Sequence, residues 1–426
     1  MPVTTVLLIL PTGTYRAPAY LAAARALGLD VVTGSERAQA LASRMAEHFV
    51  LLPLHDPEAT ADAIVAYAKG THLDAIVAVD DTGAIGAAAA AERLRLVHSP
   101  PAAVRTTRDK IAMRRAFAAA GLPQPAFEVA FDDDEVAAAT ARIGPPVVVK
   151  PPSLAGSRGV IRADDVAGAL EAASFVRRIL ADAGEPAGSP LLVEEFVPGA
   201  EVAVEGLLRQ GELSVIAVFD KPEPLDGPYF EETIYVAPSS LPPELLGKIT
   251  AVTAEALRAI GLTDGPIHAE LRVPGVRLPT EDALGPAVRL LEVAARTIGG
   301  HCSRALELRG GGSLEQLVLA TALGVPGPEP VLARAAGVLM VPIPRSGFLA
   351  GVSGIDAASK VPHVTGVEIT VPRGRFVKAL PEGERYLGFV FATAGTAREV
   401  ETALRRARQL LVVDVAEGQA PAATVT

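Results

Sequence analysis

Lysine, glycine and carboxylate residues recur along this chain in an order suited to holding phosphate. The segment Lys150-Pro-Pro-Ser-Leu-Ala-Gly-Ser-Arg-Gly159 follows an apolar run, residues 147–150 (VVVK). A strand that ends on a lysine delivers an ammonium to its tip, where it can neutralise a phosphate oxygen. Gly156 and Gly159 let backbone amides come close to an anion, and Ser153 and Ser157 add hydroxyl donors. The order differs from a Walker loop, in which the lysine follows the glycines. Taken alone, the stretch fits an ordinary loop after a strand equally well. Residues 192–201 (LVEEFVPGAE) form a second signal. An apolar strand ends in Glu194 and Glu195, then come Phe196, Val197, a Pro-Gly turn and Glu201. In a nucleotide site, strand backbone can read a base edge and a nearby carboxylate can hold sugar hydroxyls. A solvated acidic turn accounts for the same residues.

Glu270 and Glu292 form the third signal. Each sits within an apolar strand, IHAELRV and RLLEVAAR. A carboxylate among apolar neighbours needs a partner, because burying it unpaired is costly. Two of them on neighbouring strands suit Mg²⁺, a hard cation that takes oxygen ligands. Arg296, four residues after Glu292, can offset charge on a transferring phosphoryl group. Either glutamate alone also reads as an outward-facing strand residue. His268 shares a strand face with Glu270 by the period of two. It can contact a substrate carboxylate, position an amine, or simply be a hydrogen-bonded strand histidine. Gly299 and Gly300 allow close backbone approach, and Ser303 and Arg304 can grip a carboxylate. Arg304 reads equally as a surface residue. Phe230-Glu231-Glu232 lies in a Pro/Gly-rich loop, with Glu231 the candidate for an incoming ammonium. Cys302 reads as a small buried residue.

These side chains need elements to carry them. Residues 3–10 (VTTVLLIL) predict a strand, 18–28 a helix, 31–32 and 49–52 strands, 58–69 a helix and 75–79 (AIVAV) a strand ending at Asp80 and Asp81. Strands alternating with helices imply a doubly wound parallel sheet over 1–105. Helices are expected at 84–91, 109–120, 164–183, 243–260, 313–323 and 396–410. The acidic run 132–135 (DDDE) fits a helix N-terminus favoured by the macrodipole better than a metal site. Residues 202–208 and 213–219 predict a hairpin around Gln210-Gly211, and 267–273 with 288–293 a second strand pair. The GVPGPEP stretch at 324–330 reads as a linker before a small α+β domain. The resulting divisions are 1–105, 106–190, 191–328 and 329–426, in a chain of α/β and α+β class.

Composition narrows the partners. The 426 residues are 50% hydrophobic and 21% charged, which excludes a largely disordered chain. Net charge is −10, without a long basic run, which speaks against nucleic acid and anionic membranes as partners. One cysteine permits no internal disulfide and favours a reducing, cytoplasmic setting. The N-terminus reads as a strand and not as a signal peptide, and no apolar run approaches the ~18 residues of a membrane span.

In this order the motifs resemble the ATP-grasp superfamily over about 1–325. The strings LLEVAARTIGGHCSRAL and HAELRV are similar to its carboxylate–amine ligase branch, which includes L-amino-acid ligases. Residues 335–415 resemble the C-terminal domain of those ligases. The resemblance implies a two-lobed ATP-grasp fold behind a Rossmann-like domain. It implies ATP and Mg²⁺ (or Mn²⁺) as cofactors, small carboxylate and amine substrates such as amino acids, and a homodimer. Lys110 and Lys150 would then be phosphate-contacting lysines, with 153–159 the glycine loop over the phosphates. Glu194, Glu195 and Val197 would line the adenine pocket and Glu201 would hold the ribose. Glu270 and Glu292 would hold magnesium, and Arg296 would face the γ-phosphate. Many family members carry Asn two residues after the second metal glutamate; here that position is Ala294. Two other readings compete: an enzyme that phosphorylates bicarbonate, as biotin-carboxylase-like or carbamoyl-phosphate-type enzymes do, and a non-catalytic ATP-binding regulator.

Overall fold

The computed structural model describes residues 4–37, 48–278, 288–383 and 385–417. Val3, where the first expected strand begins, and the connection 279–287 lie outside these residues. Among the described residues the strands form four sheets.

The first sheet is parallel, with Phe49–Leu51, Asp30–Ser35, Thr5–Ile9 and Ala75–Ala78 side by side in that order. Its central strand Thr5–Ile9 is wholly buried, as expected where both faces are covered. Val6 and Leu8 face one cluster with Phe219, Tyr235 and Met340, while Leu7 and Ile9 face another with Val32, Ile64 and Ala87. The helices Pro57–Ala68 and Ala84–Leu94 approach closely because their contact residues are small. A Cβ on Gly86 would lie 2.6 Å from Thr60 Cγ2. The chain leaves Thr5–Ile9 toward one edge and returns on its other side as Ala75–Ala78. The loops after these two strands therefore face a crevice at the topological switch point.

A small antiparallel sheet follows, in the order Phe127–Ala130, Leu191–Glu195, Val147–Lys150 and Ile161–Ala163. Helices Asp133–Ile143 and Val166–Asp182 pack on it through Val136, Ala169 and Val176. Asp132 caps the first of them through Glu135 N, so the acidic run does begin a helix. The division expected at 190–191 falls inside this sheet, since Leu191–Glu195 lies between Phe127–Ala130 and Val147–Lys150. A run of five apolar and acidic residues carries no mark of which sheet it joins.

The large sheet has eight strands: Arg289–Ala294, Gly265–Val273, Ala200–Arg209, Glu212–Lys221, Ile234–Ala237, Ala335–Val341, Gly388–Ala394 and Val364–Ile369. The expected hairpin turns at Gln210 and Gly211, both at positive φ. Ile234–Ala237 pairs antiparallel with Ala335–Val341, so the sheet runs across the boundary expected at 328–329. Helix Pro243–Ile260 covers one face, packing Ile249 and Leu257 on Val202 and Val204. A three-stranded sheet of Phe376–Val377, Gly347–Ser353 and Val412–Ala416 completes the C-terminal part.

The turn that brings Glu201 to the site depends on Gly199. Its φ is +111°, and a Cβ there would lie 2.2 Å from the carbonyl oxygen of Val273. Gly199→Ala is expected to cost about 2 kcal/mol or more. A thermal melt reads it as a lowered midpoint; an unchanged midpoint would show that the turn yields freely.

Candidate active site

A cavity of about 740 Å³ lies between the small antiparallel sheet, the large sheet and the end of the first sheet. Lys150 ends the buried strand Val147–Lys150, and its Nζ lies 2.6 Å from Glu194 Oε2. Glu194 also accepts from Arg114 Nε at 2.6 Å. Burial acts against the charged carboxylate, but Arg114 and Lys150 outweigh it and hold Glu194 down at about 2. Burial pushes the Lys150 ammonium below its ordinary value, with Glu194 opposing and Arg114 and Lys110 adding to the fall. Lys110 opens the helix Lys110–Ala119, whose N-cap Asp109 accepts from the amides of Ile111 and Ala112. That cap fixes the first turn and sends Lys110 Nζ to the Leu154 carbonyl (2.8 Å) and Glu292 Oε1 (3.2 Å). Gly156 and Ser157 of the glycine loop line the cavity, both at positive φ. Ser153 instead bonds Glu185 at 2.7 Å, and the Gly159 amide donates to the Pro381 carbonyl at 2.9 Å.

Glu270 and Glu292 stand directly opposite each other on antiparallel strands, next to a bulge between Glu270 and Leu271. A bulge re-aims side chains, and both carboxylates open to the cavity. Hard oxygen donors facing one another beside two lysines fit a magnesium ion that also carries phosphate. A second group, Glu201, Glu232 and Glu270, also brings carboxylate oxygens together. Its centre holds the Lys221 ammonium, 2.7, 2.6 and 2.8 Å from those three residues. Burial would lower Lys221, but the three carboxylates raise it well above its ordinary value. Burial, with the charges of Glu270 and Glu201, pushes Glu232 up to about 7. Glu270 is held well below the ordinary range, because Lys221 and His268 outweigh its burial.

His268 lies over Glu270, with Nε2 3.4 Å from Glu270 Oε1, as the shared strand face predicts. Behind it, Glu205 is fully buried, 3.6 Å from His268 Nδ1, and accepts from the Ile298 amide at 2.9 Å. Ala294 pairs across the sheet with His268, so the imidazole stands opposite the position where many ATP-grasp enzymes have Asn. Arg296 Nε donates to Asp81 Oδ2 at 2.9 Å.

The other expected residues divide between site and surface. Glu195 and Val197 line the cavity. Glu195 accepts from the Ala126 amide at 3.1 Å, and the Val197 carbonyl accepts from Arg272 Nη1 at 2.7 Å. Both Glu201 oxygens are bonded, one by Lys221 and one by Arg272 Nε at 2.8 Å. Gly299 and Gly300 line the cavity, followed by His301. Ser303 and Arg304 do not line it; Arg304 makes a two-pronged pair with Glu368 on the surface, at 2.7 and 2.8 Å. Glu231 also does not line it, whereas its neighbour Glu232 does and bonds Lys221 and Tyr235. Both lie in the irregular segment just ahead of the strand Ile234–Ala237. Sequence reasoning missed Lys221, although VIAVFDK repeats the pattern of VVVK: an apolar strand that ends on a lysine. Arg114, Arg272 and Asp81 left no local mark.

Comparison with known proteins gives a consistent family. Residues 143–305 match the ATP-grasp domain, 21–97 the ATP-grasp N-terminal domain, and 339–416 the L-amino acid ligase C-terminal domain 2. An alanine–anticapsin ligase of Bacillus subtilis (strain 168) is 28% identical over 278 residues, covering 62% of this chain and 56% of that protein. A D-alanine–D-alanine ligase of Bordetella avium (strain 197N) is 31% identical over 206 residues, covering 45% of this chain and 61% of that protein. The chain thus spans 56% and 61% of the lengths of these two curated relatives. The crystal structure of an L-amino acid ligase from Bacillus licheniformis superposes with a TM-score of 0.76 at 26% identity, covering 97% of this chain and 99% of that one. Among the described residues no helix is long and apolar enough to cross a membrane.

The Glu194 cluster sets an acid limit on stability. Its carboxyl sits at about 2 in the folded chain against an ordinary 4.5. The folded state therefore binds fewer protons there than the unfolded state does. The stabilisation is complete above the ordinary value and is lost as pH falls from there toward the folded one, roughly 3 kcal/mol in all. Glu194→Gln is expected to be less stable at neutral pH and to close that gap with wild type between about pH 5 and pH 2. Urea midpoints across the range check this; a constant gap would assign the loss to packing.

Proposed function

The chain belongs to the ATP-grasp superfamily, and from that premise we propose that it is an ATP-dependent carboxylate–amine ligase acting on amino acids or related small acids. One observation carries the reading. Lys110, Lys150 and Arg296 converge on a cavity that holds Glu270 and Glu292 in register, and the same cavity continues past them to Gly300, Met340 and Phe389. The first group suits the phosphates of ATP. The apolar extension suits the side chain of an organic acid or amine.

In this reading Lys110 and Lys150 hold the phosphates, and the 153–159 loop covers them. Glu195 and Val197 border the base, and Glu201 borders the ribose. Glu270 and Glu292 would hold Mg²⁺, which supplies Lewis-acid relief of phosphate charge. A substrate carboxylate oxygen attacks the γ-phosphorus, the bond to the β-phosphate oxygen breaks, and ADP leaves. Arg296 and the lysines offset the charge that gathers on the transferring group. An amine then attacks the acyl carbon, and phosphate leaves with the bonding pair. The closed glycine loop keeps water from the acyl phosphate. Lys221, moored among three carboxylates, holds Glu201, Glu232 and Glu270 in place.

The apolar wall of Met340 and Phe389 disfavours bicarbonate as the acceptor, since a small hydrated anion gains nothing from it. The complete set of cations and acids disfavours a regulator without catalysis. The test is release of ADP and phosphate from ATP and Mg²⁺ over pairs of amino acids and small acids, with product mass recorded. Release that needs both an acid and an amine, with a condensed product, is expected. Release with bicarbonate alone would overturn the reading. Arg296→Ala is expected to lower kcat by about 100-fold or more. Glu292→Gln is expected to raise the Mg²⁺ concentration needed for turnover.

A further inference from the structure

The residues just after Arg296 are gripped from the N-terminal domain as well as by Glu205 of their own lobe, which accepts from the Ile298 amide. Arg16 Nη2 donates to the carbonyls of Thr297 (3.0 Å) and Ile298 (2.8 Å), and Arg16 Nη1 donates to Thr297 Oγ1. Asp81 Oδ2 accepts from Arg296 Nε at 2.9 Å, 215 residues away in sequence. Arg296 Nη1 donates to the Thr297 carbonyl at 3.0 Å. Among the described residues no protein acceptor takes Arg296 Nη2, on a side chain that lines the cavity. Asp81 itself stands on rigid backbone. It follows the strand Ala75–Ala78, the Thr82 amide donates to Asp80 Oδ1 at 3.0 Å, and Gly83 starts the next helix at φ +90°. A Cβ on Gly83 would lie 2.9 Å from Ile9 Cγ2, so the turn is pressed onto the sheet. Arg108 is the other ion-pair partner of Asp81, at 3.0 Å, and its Nη2 lies 3.5 Å from the Ser153 carbonyl of the glycine loop.

The geometry points to Asp81 as the positioning residue of Arg296: its carboxylate fixes Nε so that the free edge of the guanidinium faces the transferring phosphoryl group. This rests on the ligase reading for what Arg296 does, though not for the clamp itself. An arginine on a bend after a strand has four rotatable bonds, and each one left free costs orientation at the moment of transfer. The clamp removes that freedom from outside the lobe. It makes phosphoryl transfer depend on how the N-terminal domain is seated.

Asp81→Asn keeps the volume and one acceptor but removes the charge. It is expected to lower kcat by about 100-fold, with KM for ATP within about twofold of wild type, because Arg296 matters most as charge develops. In an Arg296→Ala background the same change is expected to add little, since the two residues act as one unit. Arg108→Met removes the other partner of Asp81 and is expected to keep most of the turnover. An equal loss in Arg108→Met would show that Asp81 acts through the glycine loop, and would overturn the proposal. A second readout does not need turnover: phenylglyoxal modification of Arg296, followed by mass of its peptide. Asp81→Asn is expected to speed it several-fold, and an unchanged rate together with unchanged kcat overturns the clamp. If the wild-type chain forms no product with any acid and amine, the ligase reading fails, while the modification rate still decides whether Asp81 holds Arg296.

Discussion

A single ammonium holds the floor of the cavity together. Lys221 Nζ joins Glu201, Glu232 and Glu270, which come from two strands of the large sheet and the segment leading into a third. Three carboxylates this close in a low-dielectric setting repel strongly unless a cation lies among them. The same logic runs through the site. Glu194 has Arg114 and Lys150, Glu292 has Lys110, and Asp81 has Arg296 and Arg108. Every charge that a polyphosphate would need already has a partner of opposite sign. The site can therefore be buried and charged before a ligand arrives. Binding then exchanges partners instead of burying bare charge.

These pairs also divide the work between parts of the chain. The small sheet supplies Lys150, the helix before it Lys110, and the large sheet Glu270 and Glu292. The N-terminal sheet supplies Asp81 and Arg16 from loops at its switch point, the place where doubly wound sheets gather ligand-facing groups. Its two loops meet the chain just after Glu292 from the far side. No one part has a complete site, and the cavity exists only where they meet.

Much of this was legible in the amino-acid sequence, because local pattern fixes local structure. The VVVK strand, the Asp109 cap before Lys110 and the period-two pairing of His268 with Glu270 all follow from spacing alone. Long-range partners were not legible. Nothing near Lys221 says which carboxylates it meets, since Glu201, Glu232 and Glu270 reach it only through strand register. Glu231 and Glu232 lie in an irregular segment ahead of a strand, where no periodic pattern marks which carboxylate faces the site. Arg304 sits in a string shared with the ligase family, yet its guanidinium lies over Phe391 and pairs with Glu368 outside the cavity.

The large sheet does not end where the C-terminal part begins. Ile234–Ala237 is buried at every position, and its outer edge is hydrogen-bonded to Ala335–Val341. A chain shortened ahead of residue 335 would keep Lys110, Lys150, Glu270 and Glu292. It would also present a bare apolar edge with unpaired amides and carbonyls, a template for joining another strand. The last quarter of the chain thus acts as the seal on the sheet's growing side, and its removal would convert a site-forming sheet into a sticky one.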